Sequence, residues 1–321
     1  MKRLLSLFPA VLLVLFVACG GDDNPYSLNP KGESTPVNTD PRQEGGPEIA
    51  KTNLEFPALR GGNSIVIVHY APIGSNSNAV NYCVEWDTDK CAQRWSCYQM
   101  YAESNVQTVQ RYDKAHDVDK TLSYSTGQYP NDPELEKKYQ FTTDPYWSSG
   151  FDHGHICPSQ DRVCSEEANH QTFVLTNMQP QYNKFNAGIW ANMEGQVRKW
   201  ANKFDVLYVC KGGTIDKPEH IIEYVSGKSH QATRVNANHV PVPKYFFMAV
   251  LGKKGNNFKA TGFWIAQDSY TSSSMKNYAC NIQTLEKYTG LDFFCNLPND
   301  TENQVETVSK TQMEKDWTWD S

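Results

Sequence analysis

Runs of apolar residues and alternation between apolar and polar positions predict most of the strands in this chain. Segments of this kind, bounded by turn residues, are typical of β-strands. They cover residues 64–70, 81–86, 94–101, 205–210, 242–251 and 259–265. The strands do not alternate regularly with helical segments, and the sequence therefore predicts an α+β fold with a mixed or antiparallel sheet.

Apolar residues at helical spacing predict one prominent helix after residue 185. The positions are Ile189, Met193, Val197, Trp200 and Phe204. Intervals of three and four residues place them on one helical face. A shorter helix is predicted over residues 282–288, with Gly290 as its C-terminal cap.

The N-terminus has the pattern of an export signal followed by a tether. Lys2 and Arg3 precede an apolar run over residues 4–16, as in a secretory signal. Val17-Ala18-Cys19 resembles the lipobox of bacterial lipoproteins, which predicts removal of residues 1–18 and lipidation of Cys19. An ordinary cleaved signal with an incidental Cys is the alternative. Residues 19–50 are rich in Pro and Gly and are predicted to form a flexible tether.

These features predict an exported protein that is anchored in the outer membrane. Acidic residues just after Cys19 resemble tags that direct some lipoproteins to the cell surface, so a surface-facing position is a further expectation. The membrane is thus an expected partner through the lipid, and the remaining chain is expected to be one domain over residues 51–310 with an acidic tail over 311–321.

Composition supports a large core but gives no global signature for nucleic acid. The chain has 321 residues, of which 39% are hydrophobic and 12% aromatic, which excludes a mainly disordered or collagen-like protein. The net charge is −6, and residues 20–50 and 300–321 carry −4 each. The body is therefore close to neutral, and any recognition of phosphate must be local.

Nine cysteines are present, and eight of them lie after Cys19. An even number in an exported protein predicts a disulfide framework, with Cys280–Cys295 as the first candidate pair. The pairing of the others stays open. No C-x-x-C pair occurs, which argues against a structural zinc site.

The first candidate for chemistry is Asp152-His153-Gly154-His155, between a turn and Cys157. On an extended segment the two His side chains point to the same face. A polar loop with incidental histidines is the alternative.

The second candidate is a set of residues at steps of four on the predicted helix: Asn186, Trp190, Glu194 and Arg198. At 100° per residue Asn186 and Glu194 lie about 80° apart, and together with Arg198 they could hold a hard cation and a phosphate. The alternative is a solvated helix face with a Glu194–Arg198 ion pair.

Together the two sets resemble a known family. The order Asp152-His153-Gly154-His155, then Thr176-Asn177-Met178-Gln179-Pro180-Gln181, then Asn186-x-x-x-Trp190-x-x-x-Glu194 is similar to the DNA/RNA non-specific endonucleases, the ββα-metal or His-Me finger nucleases. The segment from Thr289 to Pro298 also resembles the end of that family's domain. The resemblance covers about residues 62–308.

The resemblance implies a ββα-metal fold with a catalytic helix, and specific roles for these residues. His155 is expected to be the general base, Asn186 the direct ligand of Mg²⁺ or Mn²⁺, and Glu194 a group on the hydration shell of that cation. Arg198 is expected to contact phosphate and Asn177 to orient the site. The expected substrates are DNA and RNA, cut to 5′-phosphate products.

Three further residues are assigned less directly. Asp152 is expected to support the site without binding substrate. His153 stands where the family usually has Arg, and it either contacts phosphate or packs locally. Arg111 is the nearest candidate for the family's upstream phosphate contact.

Two other functions are compatible with the same residues. A catalytically weakened lipoprotein that binds nucleic acid or another polyanion would explain His153 and the neutral body. A metal-dependent phosphodiesterase with a non-nucleic substrate is the other.

Overall fold

The computed structural model describes residues 46–113, 122, 124–225, 240–268 and 274–319. The strands are β1 (Ser64–Ile73), β2 (Asn76–Asp87), β3 (Ala92–Tyr101), β4 (Asp152–His155), β5 (Met178–Gln181), β6 (Val206–Gly213), β7 (Ile221–Val225), β8 (Val240–Pro243), β9 (Tyr245–Lys254), β10 (Asn257–Ala266) and β11 (Ala279–Cys280). The helices are α1 (Glu166–Gln171), α2 (Asn183–Phe185), α3 (Ala191–Ala201), α4 (Ile282–Thr289), α5 (Asn299–Glu306) and α6 (Lys310–Asp316). The predicted α+β class is confirmed.

A seven-stranded sheet in the order β1-β2-β3-β6-β9-β10-β11 forms the centre of the molecule. All neighbouring strands are antiparallel. Each predicted strand is present, but the segment predicted over 242–251 is split into β8 and β9 at Lys244. Pro241 and Pro243 limit the hydrogen bonds that β8 can donate, and it pairs with β7 outside the main sheet.

The sheet is covered on both faces, and β9 shows how one strand serves both. Phe246, Met248 and Val250 belong to one core cluster. Phe247, Ala249 and Leu251 alternate with them and belong to the other. Side chains alternate between the faces of a strand, so each face has its own apolar layer.

Different helices cover the two faces. The first face carries α3, through Met193, Val197 and Trp200, and also Met313 of α6. The second face carries α4 and α5, through Ile282, Leu285 and Val305. Asn281 caps the first turn of α4, and Gly290 ends the helix with φ of 75°, as predicted from the sequence.

The boundaries expected for the ends of the domain differ from the structure. Glu48–Lys51 is a 3₁₀ turn with Ala50 fully buried, so packing begins within the last residues assigned to the tether. The expected acidic tail is also incorrect, because residues 310–316 form α6 and Trp317 is buried against Trp200. Its apolar residues dock on α3 while its charges face outward.

All eight described cysteines are free thiols, and six of them are buried. The predicted disulfide framework, including Cys280–Cys295, is therefore wrong for this structure. Burial among apolar side chains raises the pKa of the Cys97 and Cys210 thiols. These thiols therefore stay protonated and pack as small hydrophobic residues do in a core.

The signal over residues 1–18, the lipidation site Cys19 and the tether up to residue 45 lie outside the described residues. Among the residues that are described, no helix has both the length and the apolarity to cross a membrane.

Candidate active site

A polar cleft of about 400 Å³ lies between β4 and the start of α3. Its lining includes six residues that the sequence singled out: Arg111, Asp152, His153, His155, Asn186 and Glu194. Asn177, Trp190 and Arg198, which the sequence also singled out, do not line it. The two sequence motifs therefore meet in space, although about 30 residues separate them.

Strand β4 presents both histidines to the cleft. It pairs antiparallel with β5, and Gly154 between the histidines faces the other way. A Cβ at Gly154 would lie 2.3 Å from the Gln181 side chain, so only glycine fits there. Tyr129 contacts both imidazoles, with ring centroids 3.7 Å from His153 and 6.1 Å from His155. The predicted shared face of the two histidines is confirmed.

His155 is held as a neutral imidazole. Its Nε2 atom is buried and has no hydrogen-bond partner in the part of the chain that the structure describes. Burial lowers the pKa of His155 well below its usual range, and the positive charge of Arg111 lowers it further. Contact with the His153 backbone opposes this shift only in part. A neutral ring with an uncommitted nitrogen can accept a proton at neutral pH.

His153 is anchored away from this role. Its Nε2 lies 3.0 and 3.1 Å from the two carboxylate oxygens of buried Asp144. Its ring stacks on Tyr129 with an interplanar angle of 4° and also packs against Tyr146. These contacts correspond to the local-packing alternative, because Nε2 is bound to a carboxylate and the ring packs against two tyrosines.

Asn177 holds the turn that follows His155. Its Oδ1 accepts a hydrogen bond from the Cys157 backbone N–H at 2.9 Å, and its Nδ2 donates to the carbonyls of Cys157 and Thr172. The Asn177 carbonyl accepts from the Ile156 N–H at 3.0 Å. The side chain is fully buried, so it orients the chain around His155 without entering the cleft.

Asn186 lies at the start of a π-helical turn, Asn186–Trp190, that precedes α3. The sequence predicts a regular helix here, and the structure instead has wider spacing with Gly188 outside helical φ and ψ. Such turns often occur at functional sites. Asn186 and Glu194 still line the same cleft, while Trp190 between them is buried in the core, as predicted.

Asp152 fixes the orientation of the Asn186 amide. The Asn186 Nδ2 donates to Asp152 Oδ2 at 3.0 Å, and Asn183 donates to the same oxygen at 3.0 Å. Because the amide nitrogen is committed to Asp152, the Asn186 Oδ1 atom is the end of the amide available to a ligand. Asp152 thus orients Asn186, and its supporting role in the reaction stays a prediction.

Glu194 is bound by Lys211, a residue the motif analysis missed. Lys211 Nζ on β6 lies 2.5 Å from Glu194 Oε1 and 4.8 Å from the centroid of the Trp190 ring. Burial raises the pKa of Glu194, and the Lys211 charge opposes that rise. A lone Lys in the apolar run Val206–Gly213 is the signal that could have identified it, since a buried Lys requires a partner.

Arg198 lies one turn beyond Glu194 and outside the cleft lining. Its Nη1 donates to Asp161 Oδ1 at 2.7 Å, and the other oxygen of Asp161 accepts from Tyr98 at 2.8 Å. The Glu194–Arg198 ion pair of the alternative interpretation does not form, since each residue has another partner. Contact between Arg198 and phosphate stays a prediction.

Arg111 is exposed at the mouth of the cleft. Its guanidinium lies over the Phe173 ring, with Cζ 4.7 Å from the centroid. It is close enough to lower the pKa of His155. A permanent positive charge beside the proposed base is suited to contact a phosphate group.

The donor groups in the cleft fit a small, hard cation. Asn186 offers an amide oxygen and Glu194 a carboxylate, which are the oxygen ligands that Mg²⁺ prefers. Mg²⁺ keeps several of its waters, and the cleft is open enough to hold them. No Cys lines the cleft, so a site for a soft metal does not fit.

Comparison with known proteins identifies similar sequences over most of the chain. The profile of the DNA/RNA non-specific endonucleases matches residues 62–300. Nuclease C1 of Cunninghamella echinulata var. echinulata is 29% identical over 217 residues, covering 67% of this chain and 80% of that protein. A nuclease of Nostoc sp. is 27% identical over 237 residues, covering 70% of this chain and 75% of that protein.

A solved structure shares the fold. In the crystal structure of an EndoG/EndoGI complex, one chain superposes with a TM-score of 0.52 and 18% identity, covering 73% of this chain and 89% of that chain. At this identity the likeness shows the architecture alone, and it supports the expected ββα-metal type of α+β fold.

Proposed function

This chain belongs to the DNA/RNA non-specific endonuclease family and is a nuclease, and from that membership and its cleft we propose a divalent-metal-dependent endonuclease that hydrolyses DNA and RNA to 5′-phosphate products. The observation that carries the proposal is the meeting of His155 with Asn186 and Glu194 in one cleft. A proton acceptor and oxygen ligands on opposite sides of a reacting phosphate are the groups this hydrolysis needs.

His155 acts as the general base. Its neutral state and its uncommitted Nε2 allow it to take a proton from the attacking water. Asn177 fixes the turn after His155, and the β4–β5 pairing fixes the strand, so the imidazole is oriented before substrate arrives. The hydroxide equivalent then attacks phosphorus, and the bond to the 3′ oxygen breaks.

The other groups of the cleft would position the positive charges that a phosphate requires. Asn186 and Glu194 would hold Mg²⁺ or Mn²⁺, which would supply electrostatic stabilisation of the phosphate and of the departing 3′ oxygen. Asp152 keeps the Asn186 amide turned, and Lys211 keeps the Glu194 carboxylate in place. Arg111 contacts a phosphate oxygen from the mouth of the cleft.

A plasmid assay tests this function. With Mg²⁺ or Mn²⁺ the protein should nick and then linearise supercoiled DNA and should degrade single-stranded RNA, and excess EDTA should stop both reactions. New ends should accept labelled phosphate from polynucleotide kinase only after phosphatase treatment. Binding of either substrate without cleavage would favour the weakened binding protein, and hydrolysis of small diesters alone would favour a non-nucleic phosphodiesterase.

We also propose that the protein is exported, anchored in the outer membrane through Cys19, and directed to the cell surface by the acidic residues that follow Cys19. The support is the order of charged, apolar and small residues before Cys19. Wild-type protein should partition into detergent and membrane fractions, and Cys19→Ser should be soluble. Wild-type protein found wholly in the soluble fraction would contradict the anchor. Protease treatment of intact cells tests which way it faces.

A further inference from the structure

Three carboxylates converge on the face of the sheet opposite the cleft. Glu286 is on α4, Asp292 follows the Gly290 cap, and Glu306 ends α5. All three are buried, and Glu306 is completely so. One ligand oxygen from each lies within 4.8 Å of the others.

Glu306 has no partner for either carboxylate oxygen within the described part of the chain. Other buried carboxylates differ in this respect. Glu55 accepts from Gln99 at 3.0 Å, and Asp161 accepts from both Tyr98 and Arg198. Burying a carboxylate without hydrogen bonds or a counter-charge is unfavourable in free energy. A positive group next to Glu306 would therefore stabilise it.

The surroundings of Glu306 add to this unfavourable free energy. The carboxylates of Glu286, Asp292 and Glu302 lie near Glu306, and their negative charges oppose the charge of its own carboxylate. The same four groups that repel one another in the absence of a cation are attracted to a common cation when one is bound.

The three oxygens are close enough to share a single cation. Ca²⁺–O distances are about 2.3–2.6 Å, so oxygens that share one calcium ion lie no more than about 5 Å apart. Ca²⁺ accepts six to eight oxygens in flexible geometry and takes carboxylates in bidentate fashion. Mg²⁺ needs shorter bonds and retains waters, which suits the open cleft better than this buried cluster.

We propose that Glu286, Asp292 and Glu306 form a structural calcium site, separate from the metal site of the cleft, that fastens α4, the segment after it and α5 to one another. The segment it would fasten carries further contacts with the N-terminal part of the domain. The Asp292 carbonyl accepts from the Ala58 N–H at 2.8 Å, and Asn296 donates to the Ala50 carbonyl at 2.9 Å. Calcium would therefore stabilise the junction of both ends of the domain.

Thermal melting and calorimetry test the site on the full chain freed of metal by a chelator. Adding Ca²⁺ at about 100 times its Kd should raise the wild-type melting temperature by roughly 5 °C or more, and equal Mg²⁺ should raise it less. Glu306→Gln should abolish the calcium-specific shift. Without cation, this variant should melt no lower than wild type, because a neutral amide removes the repulsion.

Two further variants separate this site from the cleft and from general charge effects. Asn186→Ala removes a cleft ligand and should still bind one Ca²⁺ in calorimetry and keep the thermal shift. Asp300→Asn, an exposed carboxylate on the same helix, should behave as wild type. The proposal is overturned if wild type shows no calcium-specific shift, if Glu306→Gln keeps it, or if Asn186→Ala binds no Ca²⁺.

Discussion

Carboxylates on the two faces of the central sheet are stabilised in different ways. On the cleft side each one has a nitrogen partner: Asp152 binds Asn186, Glu194 binds Lys211, and Asp144 lies against His153. On the opposite side Glu306 has none among the described residues. Paired carboxylates hold their positions without an ion, so the cleft is organised before metal or substrate arrives. The Glu306 carboxylate, in contrast, would be stabilised by a cation.

This difference predicts that activity and calcium-dependent stability can be removed separately. His155→Ala should lower kcat by about 100-fold or more, as expected for loss of a general base, and Asn186→Ala by a similar factor through loss of a metal ligand. Both variants should keep the calcium-dependent melting shift, because neither touches the Glu306 cluster. The measurements are initial rates on a defined duplex at fixed Mg²⁺ and melting curves with and without Ca²⁺.

Asn183→Ala is the matched control for Asn186→Ala. Asn183 donates to the same oxygen of Asp152 but is exposed and does not line the cleft. Its rate should stay within about tenfold of wild type, below the loss expected for a catalytic group. Wild-type rates for His155→Ala or Asn186→Ala would contradict the roles assigned to them.

Lys211→Met should convert a paired carboxylate into an unpaired one and so reproduce the situation of Glu306 inside the cleft. Lys211 is almost fully buried and Glu194 only slightly exposed. Removing one member of such a pair should lower the free energy of unfolding by roughly 2–4 kcal/mol. Chemical denaturation measures this, and the double variant Lys211→Met with Glu194→Gln should recover most of the loss.

The same variant has a predictable pH dependence. Burial already raises the folded-state pKa of Glu194, and removing Lys211 should raise it further. A group with a raised folded pKa binds more protons in the native state, so its folded form is favoured below that pKa and penalised above it. The destabilisation by Lys211→Met should therefore shrink as pH falls through the pKa of Glu194. A loss that is independent of pH would show that lost packing on Trp190 explains it instead.

The sequence made some of these features predictable because they are local. Alternation placed His153 and His155 on one face of β4, and helical spacing placed Met193, Val197 and Trp200 in the core. Contacts between distant segments left no such periodic signal. Examples are the Lys211–Glu194 pair and the Asp161–Arg198 pair, which 17 and 37 residues separate.

Two expectations failed for identifiable physical reasons. An even number of cysteines suggested disulfides, but six of the eight described thiols are buried, and those of Cys83, Cys97 and Cys210 pack as small apolar groups on strands of the central sheet. The sequence also suggested a regular helix through Asn186. The π-helical turn at Gly188 interrupts it, and periodicity alone does not reveal such a turn.

Arg111→Ala should have a smaller effect on the reaction than loss of His155, and it should also move the pH profile. Loss of one phosphate contact should raise KM and reduce the slope of log affinity against log salt by about one. Arg111 lowers the pKa of His155, so its removal should raise that pKa toward the usual value. Because the neutral form is the base, activity should then be lost at a higher pH on acidification. If kcat/KM falls at the same acidic pH in Arg111→Ala as in wild type, Arg111 does not influence the pKa of His155.

His153→Arg should change the reaction least, and it decides between the two roles considered for His153. A phosphate contact through His153 would require a protonated ring, and Arg would supply that charge permanently, so kcat/KM would rise above neutral pH. In the structure, however, the Nε2 atom of His153 is bound to Asp144 and the ring is stacked on Tyr129. An Arg there can bind the same carboxylate through its fork and leave the cleft chemistry unchanged. We therefore expect kcat/KM to stay within about tenfold of wild type at every pH, measured at fixed Mg²⁺ and salt.

His153→Gln is the control, because it keeps a hydrogen-bond donor for Asp144 without a charge. If kcat/KM rises above neutral pH for His153→Arg but not for His153→Gln, the residue at position 153 does contact phosphate.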